Sequence, residues 1–381
     1  MILNVKRSYL MDQLGTNESH AIRMPKQYRD QLGVSLGQFI LVKVKNDEML
    51  NLEVLPALKV DALKGDQSAY VCAETYNKLT STTENDTFEI VDDIMLGTDP
   101  EFFLLSDNKI VPANRYFQKY NAVGSDGMLA EIRPCPSVHE DEVVNNIRKQ
   151  LAQARERIDK RGHKYIQLHA MSAYCGITAG FHLHYGLPRA LLGDNELTRP
   201  LMIQIVRAMD YYVGLPCLIQ EGDEDSQRRC APFLSYGKAG DFRLDLRTLE
   251  YRVCGGRMLQ HPILTRGLLA LGAVVIEDVV SRVKKATNSF TDLNLMHSSD
   301  DLNALYPDVP ANREMETLIA SETSLPALKH LDKIASGLES MVGLDKRRVA
   351  VYDLFNNLTT KFDSSIDNNW STRGYLQVGL A

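Results

Sequence analysis

The chain reads as an α+β protein: an antiparallel sheet backed by helices, with a small β-rich N-terminal domain and a helical C-terminal region. Three observations lead there. Five short stretches carry polar, chemically potent residues two apart. Long segments with apolar residues at i, i+3, i+4 lie between and after those stretches. Residues 1–92 show instead only short strand and turn signals.

In the first 92 residues, IRMPKQYRDQLGVSLGQFILVKVKNDEMLNLEVL predicts a short strand, a helical turn ending at Gly33, a turn at Gly37 and a hairpin through Lys45-Asn46-Asp47. AYVCAETYNKLT and TFEIVDD add further short elements. No repeat is visible in the letters. From about residue 93 to 381 a second domain is expected. DEVVNNIRKQLAQARERIDKRG predicts a helix burying Val144, Ile147, Leu151, Ala154 and Ile158, stopped by Gly162. ELTRPLMIQIVRAMDYYVGL and HPILTRGLLALGAVVIEDVVSRVKKA are apolar enough to be buried helices, whose Met and Tyr residues are core by default. After about residue 290 the pattern is mostly helical, through LPALKHLDKIASGLESMVGL and DKRRVAVYDLFNNLTTKFD.

Composition narrows the class. At 381 residues, 44% hydrophobic and 24% charged, the chain is an ordinary globular one. A net charge of −6 does not favour nucleic acid or an anionic membrane. No apolar run approaches the ~20 residues of a membrane span, and the N-terminus lacks the apolar core of a signal peptide. The six cysteines, Cys72, Cys135, Cys175, Cys217, Cys230 and Cys254, form no CxxC pair. They read as reduced thiols in the cytoplasm.

The five stretches are Asp99 and Glu101 in GTDPEFFLL, Glu131 and Arg133 in MLAEIRPCP, His182 and His184 in AGFHLHYG, Arg243, Asp245 and Arg247 in DFRLDLRT, and Glu250 and Arg252 in LEYRV. On a strand, i and i+2 share a face. One such pair is most often a solvated face. Five together, drawn from Glu, Asp, His and Arg alone, depart from the Thr, Ser, Lys and Gln of a wet surface. Carboxylates and imidazole bind divalent metals, and guanidinium binds phosphate and carboxylate in a planar fork. The expectation is one concave sheet that handles a metal-bound polyphosphate.

Taken singly, Pro100 places Asp99 and Glu101 at the start of a strand, since it lacks a ladder donor. Glu131 beside Arg133 is either a structural ion pair or a metal carboxylate next to an anion-binding guanidinium. His182 and His184, bracketed by Gly180 and Gly186, match a zinc spacing too, but no third His or Cys follows. Carboxylates with one imidazole suit Mg²⁺ or Mn²⁺ better. RRCAPFLSYGKAGDFRLDLRTLEYRV carries Arg228, Arg229, Lys238, Arg243, Arg247 and Arg252, a cation density fitted to a nucleoside triphosphate and a developing acyl phosphate. Leu244, Leu246, Leu249 and Tyr251 alternate with the cations and predict a strand with a polar inner face.

The order acid-x-Glu, AEIRP, FHLHYG, basic loop, EYR resembles the glutamine synthetase-like carboxylate–amine ligases. Within them it is most similar to the phage-associated COOH–NH2 ligase (type 2) group, beside the glutamate–cysteine ligases. The resemblance spans roughly residues 95–260. It implies an antiparallel catalytic sheet of glutamine synthetase-like type, with ATP and two or three Mg²⁺ or Mn²⁺ ions. By position it implies Glu101, Glu131, His182 and Glu250 as metal ligands, with Asp99 where a glutamate is common. His184 falls near the γ-phosphate and Arg252 falls as a phosphate clamp. From the residues themselves, Lys238 is a candidate nucleotide contact, Arg243 and Arg247 are candidate catalytic cations alongside Arg252, and Arg133, Arg228, Arg229 and Tyr236 are candidate substrate contacts. The implied substrates are a small-molecule or peptide carboxylate and an amine.

IRMPKQYRDQLGVSLGQFILVKV also resembles the AbrB-type swapped-hairpin family, many of whose members bind DNA. Residues 1–90 hold 10 Lys and Arg against 12 Asp and Glu, a net −2. That argues against tight DNA binding and for docking or dimerisation, with a homo-oligomer as one outcome. Three other readings stay open. A phosphotransferase on the same sheet would stop at phosphorylation. A metal-dependent hydrolase would use His182, His184 and a carboxylate without ATP. A DNA-binding regulator would be led by residues 1–92 with the larger domain as ligand sensor.

Overall fold

The computed structural model describes residues 2–13, 21–32, 34, 36, 39–43, 49–59, 68–80, 87–91, 94–187, 191, 198–230, 237–244, 248–287 and 305–371. The N-terminal strands are β1 (Ile2–Arg7), β2 (Ala21–Met24), β3 (Phe39–Lys43), β4 (Met49–Pro56), β5 (Ala69–Val71) and β6 (Thr87–Val91). Helix α1 (Lys26–Leu32) follows β2 and α2 (Ala73–Thr80) follows β5. The expected hairpin is present as the antiparallel pair β3–β4, with its connection, 44–48, outside the described residues. The strands close a barrel in the order β1-β5-β2-β4-β3-β6 around Val5, Ile22, Met24, Leu32, Val42, Leu52, Val54, Val71 and Leu79.

The letters show no repeat, but the barrel has an internal two-fold symmetry. Exchanging β1 with β4, β2 with β5 and β3 with β6 maps the ring onto itself, and the pairing registers obey the exchange. Val5↔Ala69 to Arg7↔Val71 in the parallel β1–β5 pair becomes Val54↔Ile22 to Pro56↔Met24 in the parallel β4–β2 pair. Ile2↔Glu89 to Asn4↔Thr87 becomes Asn51↔Leu41 to Glu53↔Phe39. Arg23↔Tyr70 and Val42↔Ile90 map onto themselves and so lie on the axis. Both helices begin alike, with Arg29 N–H on the Pro25 carbonyl and Tyr76 N–H on the Cys72 carbonyl. One chain supplies both halves, so closing this barrel requires no second copy.

Beyond the barrel run β7 (Leu96–Thr98), β8 (Glu101–Ser106), β9 (Lys109–Ile110), β10 (Val123–Asp126), β11 (Leu129–Ile132), α3 (Glu140–Lys160), β12 (Gln167–His169), β13 (Ala173–Tyr174), β14 (Ile177–Thr178) and β15 (Leu183–Gly186). Then come α4 (Thr198–Met209), a five-residue π turn (Asp210–Gly214), α5 (Leu215–Cys230), β16 (Phe242–Leu244), β17 (Thr248–Tyr251) and α6 (Pro262–Thr287). Helices α7 (Asn312–Ile319), α8 (Leu325–Leu328), α9 (Leu331–Leu338), α10 (Leu344–Asn357) and α11 (Ile366–Asn369) complete the described chain. The expected helical segments are helical, α3 burying Val144, Ile147, Leu151, Ala154 and Ile158 as its spacing requires.

Two expectations about the sheet are corrected. Instead of one concave sheet there are two: β10-β11-β8-β12, with β9 on β8, and β16-β17-β15-β7. The chain crosses between them at Asp99-Pro100, where Pro100 offers no N–H to either ladder. Glu101 N–H donates to the Gly180 carbonyl at 2.9 Å, and Gly180 bridges Gly255, so the sheets are joined at this corner. Residues 243–252 are not one alternating strand either. Leu244 faces Leu249 across a hairpin whose connection, 245–247, lies outside the described residues.

Helices α6 and α10 cross with backbone in near contact. A Cβ on Gly267 would strike the Leu354 Cβ and come 2.7 Å from the Ala350 carbonyl oxygen. Replacing Gly by Ala inside a helix ordinarily gains up to ~1 kcal/mol. Here Gly267→Ala is expected to cost about 1–3 kcal/mol through overpacking. Thermal unfolding measures it, and an unchanged or higher midpoint would contradict the crossing.

Candidate active site

In the four-stranded sheet, β15 and β17 turn their apolar alternate residues into the core and their polar ones outward. In β15, Leu183 and Tyr185 are fully buried while His184 is not; in β17, Leu249 and Tyr251 are fully buried on the side opposite Glu250. Register then assembles a row across the four-stranded sheet. Arg243 faces Glu250, Glu250 faces His184, and His184 faces Gly97. Two residues toward the corner, Asp99 and His182 meet the same row.

The contacts converge on Asp99. Its Oδ1 lies 3.0 Å from His182 Nδ1 and 3.2 Å from His184 Nε2. Glu250 Oε1 lies 3.6 Å from His182 Nδ1 and 3.2 Å from Arg252 Nε. Arg243, mostly exposed, reaches Glu250 at 3.8 Å. Thr98 fixes the strand by donating its hydroxyl to the His182 carbonyl at 2.6 Å.

On the five-stranded sheet, Glu101 and Glu131 face each other directly across β8 and β11. Both are buried, on the face that also carries Phe103, Leu105 and Leu129. Glu101 accepts the Gly180 N–H at 2.6 Å. Glu131 pairs with Arg133, whose Nη1 also donates to the carbonyls of Lys119 and Asn121 at 3.0 and 2.9 Å. Gly124, opposite Glu131, leaves the room, since a Cβ there would lie 2.5 Å from Arg133 Nη1. Arg133 is therefore engaged as the ion pair the sequence left open, bracing the loop before β10.

Protonation follows these environments. Burial pushes Glu101 up, against the pull of His182. Burial pushes Glu131 up to about 7, against Arg133 and with help from the charges of Asp99, Glu101 and Asp126. Burial would also raise Asp99, but the two imidazoles hold it well below the usual carboxylate range. His182 is raised, because Asp99, Glu101 and Glu250 outweigh the burial that opposes its charge.

These donors fit a divalent cation. Among the described residues, Asp99, His184 and Glu250 each offer a ligand atom within 4.8 Å of the others. That is the span of atoms around one ion with ligand bonds of roughly 2.0–2.6 Å. Asp99 Oδ1 and His184 Nε2 are buried side by side without the alignment of a hydrogen bond. The set differs from the expected one in using His184 where His182 was read as the ligand. Glu101 and Glu131 form a second carboxylate pair next to it.

Beside His184 opens a cleft of ≈ 350 Å³ lined by Gly97, Gly186, Thr248, Pro134 and Pro136, with Asp99 and Arg133 also on its lining. The family model of the phage phiEco32-like COOH.NH2 ligase-type 2 family matches residues 96–340, the part of the chain that builds this site. The chain belongs to that family. It is thus a member of a group of carboxylate–amine ligases. No curated protein sequence is significantly similar to it. Among solved structures, apo GmaS without ligand is 15% identical, with 67% of this chain and 72% of that one covered and a TM-score of 0.33. The bifunctional glutathione synthetase from Pasteurella multocida is 12% identical, over 75% and 49%, with a TM-score of 0.37. The complex of the ubiquitin-like protein Pup with its ligase PafA gives 11%, 76% and 70%, and 0.36.

In this ligase, the described structure brings together Asp99, Glu101, Glu131, His182, His184, Arg243, Glu250 and Arg252. Lys238 is exposed on the turn before β16, closed by Asp241 N–H on its carbonyl at 3.1 Å. Tyr236 and Arg247 lie outside the described residues, as do the side chains of Arg228 and Arg229 in α5. Two neighbours went unassigned in the sequence. Asp241, 3.5 Å from Arg252 Nη1, stood in the quoted GKAGD loop. Asp126 acts on both buried glutamates through its charge, and only the register places it there. No helix among the described residues is long and apolar enough to cross a membrane.

The raised Glu131 fixes the sign of a pH effect. Folded, it holds a proton that the unfolded chain, at 4.5, has released. Its contribution to stability is present below 4.5 and is lost as pH rises toward about 7. Without divalent cation, the parent should lose midpoint relative to Glu131→Gln across that window, and Mg²⁺ should restore the parent more than the variant. Thermal melts at stepped pH, with and without Mg²⁺, measure both; parallel curves would contradict the assignment.

Proposed function

We propose that the chain is an ATP-dependent carboxylate–amine ligase that forms an amide or peptide bond through an acyl phosphate, releasing ADP and phosphate. The observation that carries this reading is the Arg243–Glu250–His184–Gly97 row, with Asp99 beside it and the cleft next to His184. Acids and imidazoles that could hold metal stand next to guanidiniums that could hold phosphate, beside a cleft with room for a nucleotide.

Asp99, His184 and Glu250 would hold one Mg²⁺ or Mn²⁺, with Glu101, Glu131 and His182 completing the metal-binding acids and imidazoles. Bound cations would neutralise phosphate charge during in-line transfer. The cleft would take the nucleotide, with His184 and Lys238 facing its phosphates. A substrate carboxylate oxygen attacks the γ-phosphorus and ADP leaves. The amine then attacks the acyl carbon, loses a proton, and phosphate departs with that oxygen. Arg252, kept in place by Glu250 and Asp241, and Arg243 from the hairpin's other strand would steady the acyl phosphate against water. Arg247, Arg228, Arg229 and Tyr236 are kept as candidate contacts for the acyl phosphate and substrates. Arg133 sits on the cleft lining, tied to its loop. Residues 1–92 would serve docking.

Glu250→Gln should lower ATP-dependent condensation by on the order of 10²–10³ while leaving the thermal midpoint near the parent's. Carboxylate substrate labelled with heavy oxygen should deliver one labelled oxygen to inorganic phosphate. The assay is mass spectrometry on pooled carboxylates and amines. Label in AMP instead would point to adenylation, and a Glu250→Gln enzyme as active as the parent would remove Glu250 from the site.

A further inference from the structure

One buried acid that the ligase reading leaves unused is Asp210, on the first residue of the π turn between α4 and α5. It is 2% exposed, and its two oxygens have two different tasks. Oδ1 accepts the Tyr251 hydroxyl at 2.8 Å, and Oδ2 accepts the Gly240 N–H at 2.7 Å. Each partner is one residue from the site. Tyr251 stands between Glu250 and Arg252 on β17, pointing to the opposite face. Gly240 precedes Asp241, whose carbonyl accepts the Arg252 N–H at 3.0 Å and whose carboxylate lies 3.5 Å from the Arg252 guanidinium.

The surroundings are cut to this purpose. A Cβ on Gly214, the last residue of the π turn, would lie 2.7 Å from the Tyr251 hydroxyl. Gly240 has φ +75°, a conformation that turns its N–H toward Asp210 at little cost only in glycine. π turns of this kind are rare in helices and concentrate at functional sites. A buried carboxylate needs partners. Here it ties the strand of Glu250 and Arg252 to the loop of Lys238 and Asp241.

We propose that Asp210 is a positioning residue. By clamping Tyr251 and Gly240 it sets Arg252 and the Lys238 turn at the spacing that holds the nucleotide phosphates. This rests on the ligase reading above. It makes no contact with substrate itself.

The test uses the full chain, with Mg-ADP as the probe in calorimetry and ATP in turnover, well below each variant's unfolding midpoint. Asp210→Ala should weaken Mg-ADP and lower kcat/KM for ATP on the order of 10²-fold, the usual consequence of a displacement near 1 Å. Asp210→Asn should recover most of the loss, because its amide oxygen can take the Gly240 N–H while its NH2 donates to the Tyr251 oxygen. Tyr251→Phe, which keeps Asp210 and one of its bonds, should fall between, and it decides the matter if Asp210→Ala does not fold. A purely structural role would lower the midpoint of folded Asp210→Ala yet leave its Mg-ADP affinity at the parent's value, and that result overturns the proposal. So does Asp210→Asn no better than Asp210→Ala, or Tyr251→Phe equal to the parent in both readouts. A parent that binds no Mg-ADP and turns over no ATP overturns the ligase reading and this inference with it.

Discussion

Two carboxylates facing each other in a buried pocket are the constraint on which the rest of the site depends. Glu101 and Glu131 are opposite one another in the ladder, on a face shared with Phe103, Leu105 and Leu129. Like charges in such surroundings repel and are poorly solvated, so each is pushed toward its neutral form. Arg133 offsets part of this for Glu131, and one backbone N–H does so for Glu101. A fold that keeps both acids there bears a standing electrostatic cost, which a bound cation would relieve. The neighbouring Asp99 takes the opposite course, held ionised by two imidazoles.

The architecture serves this arrangement by dividing the site between two sheets. The Asp99-Pro100 crossover lets the chain leave one ladder and enter the other with no donor wasted. That crossover puts Asp99 at the seam, where acids from one sheet and imidazoles from the other approach together. Gly180 and Gly255 close the seam by backbone pairing, and Gly255 has no room for a side chain between Ser172 and Glu221. The side chains that would hold a metal thus sit on ladder positions and a corner, not on free loops, and little motion is left to them.

The sequence made the site strands legible because a strand's period of two is local. Leu183, Tyr185, Leu249 and Tyr251 go inward and their neighbours outward, as read. What it hid was nonlocal. The hairpin within DFRLDLRTLEYRV has no Gly or Asn to announce a turn, so Leu244, Leu246 and Leu249 looked like one continuous alternation. Asp210 sat within a segment whose apolar spacing made it appear a plain buried helix, and its partners are 30 and 41 residues away. The barrel's symmetry escaped for a related reason. Equivalent positions hold different residues, Met24 with Val71 and Arg23 with Tyr70, and only pairing reveals them.

That symmetry also dictates a timetable. The first strand of the barrel finds its ladder partners only in the fifth and sixth, Val5 with Ala69 and Ile2 with Glu89. A ribosome adding about 5–20 residues per second therefore leaves β1 without its neighbours for several seconds after it emerges. Strand edges waiting in this way are open to other chains. The half barrel formed by β2, α1, β3 and β4 has its own local pairs and can form earlier, as a template onto which the late half docks. A ring that looks balanced when finished is assembled from one end, and its first-made strand is the last to be enclosed.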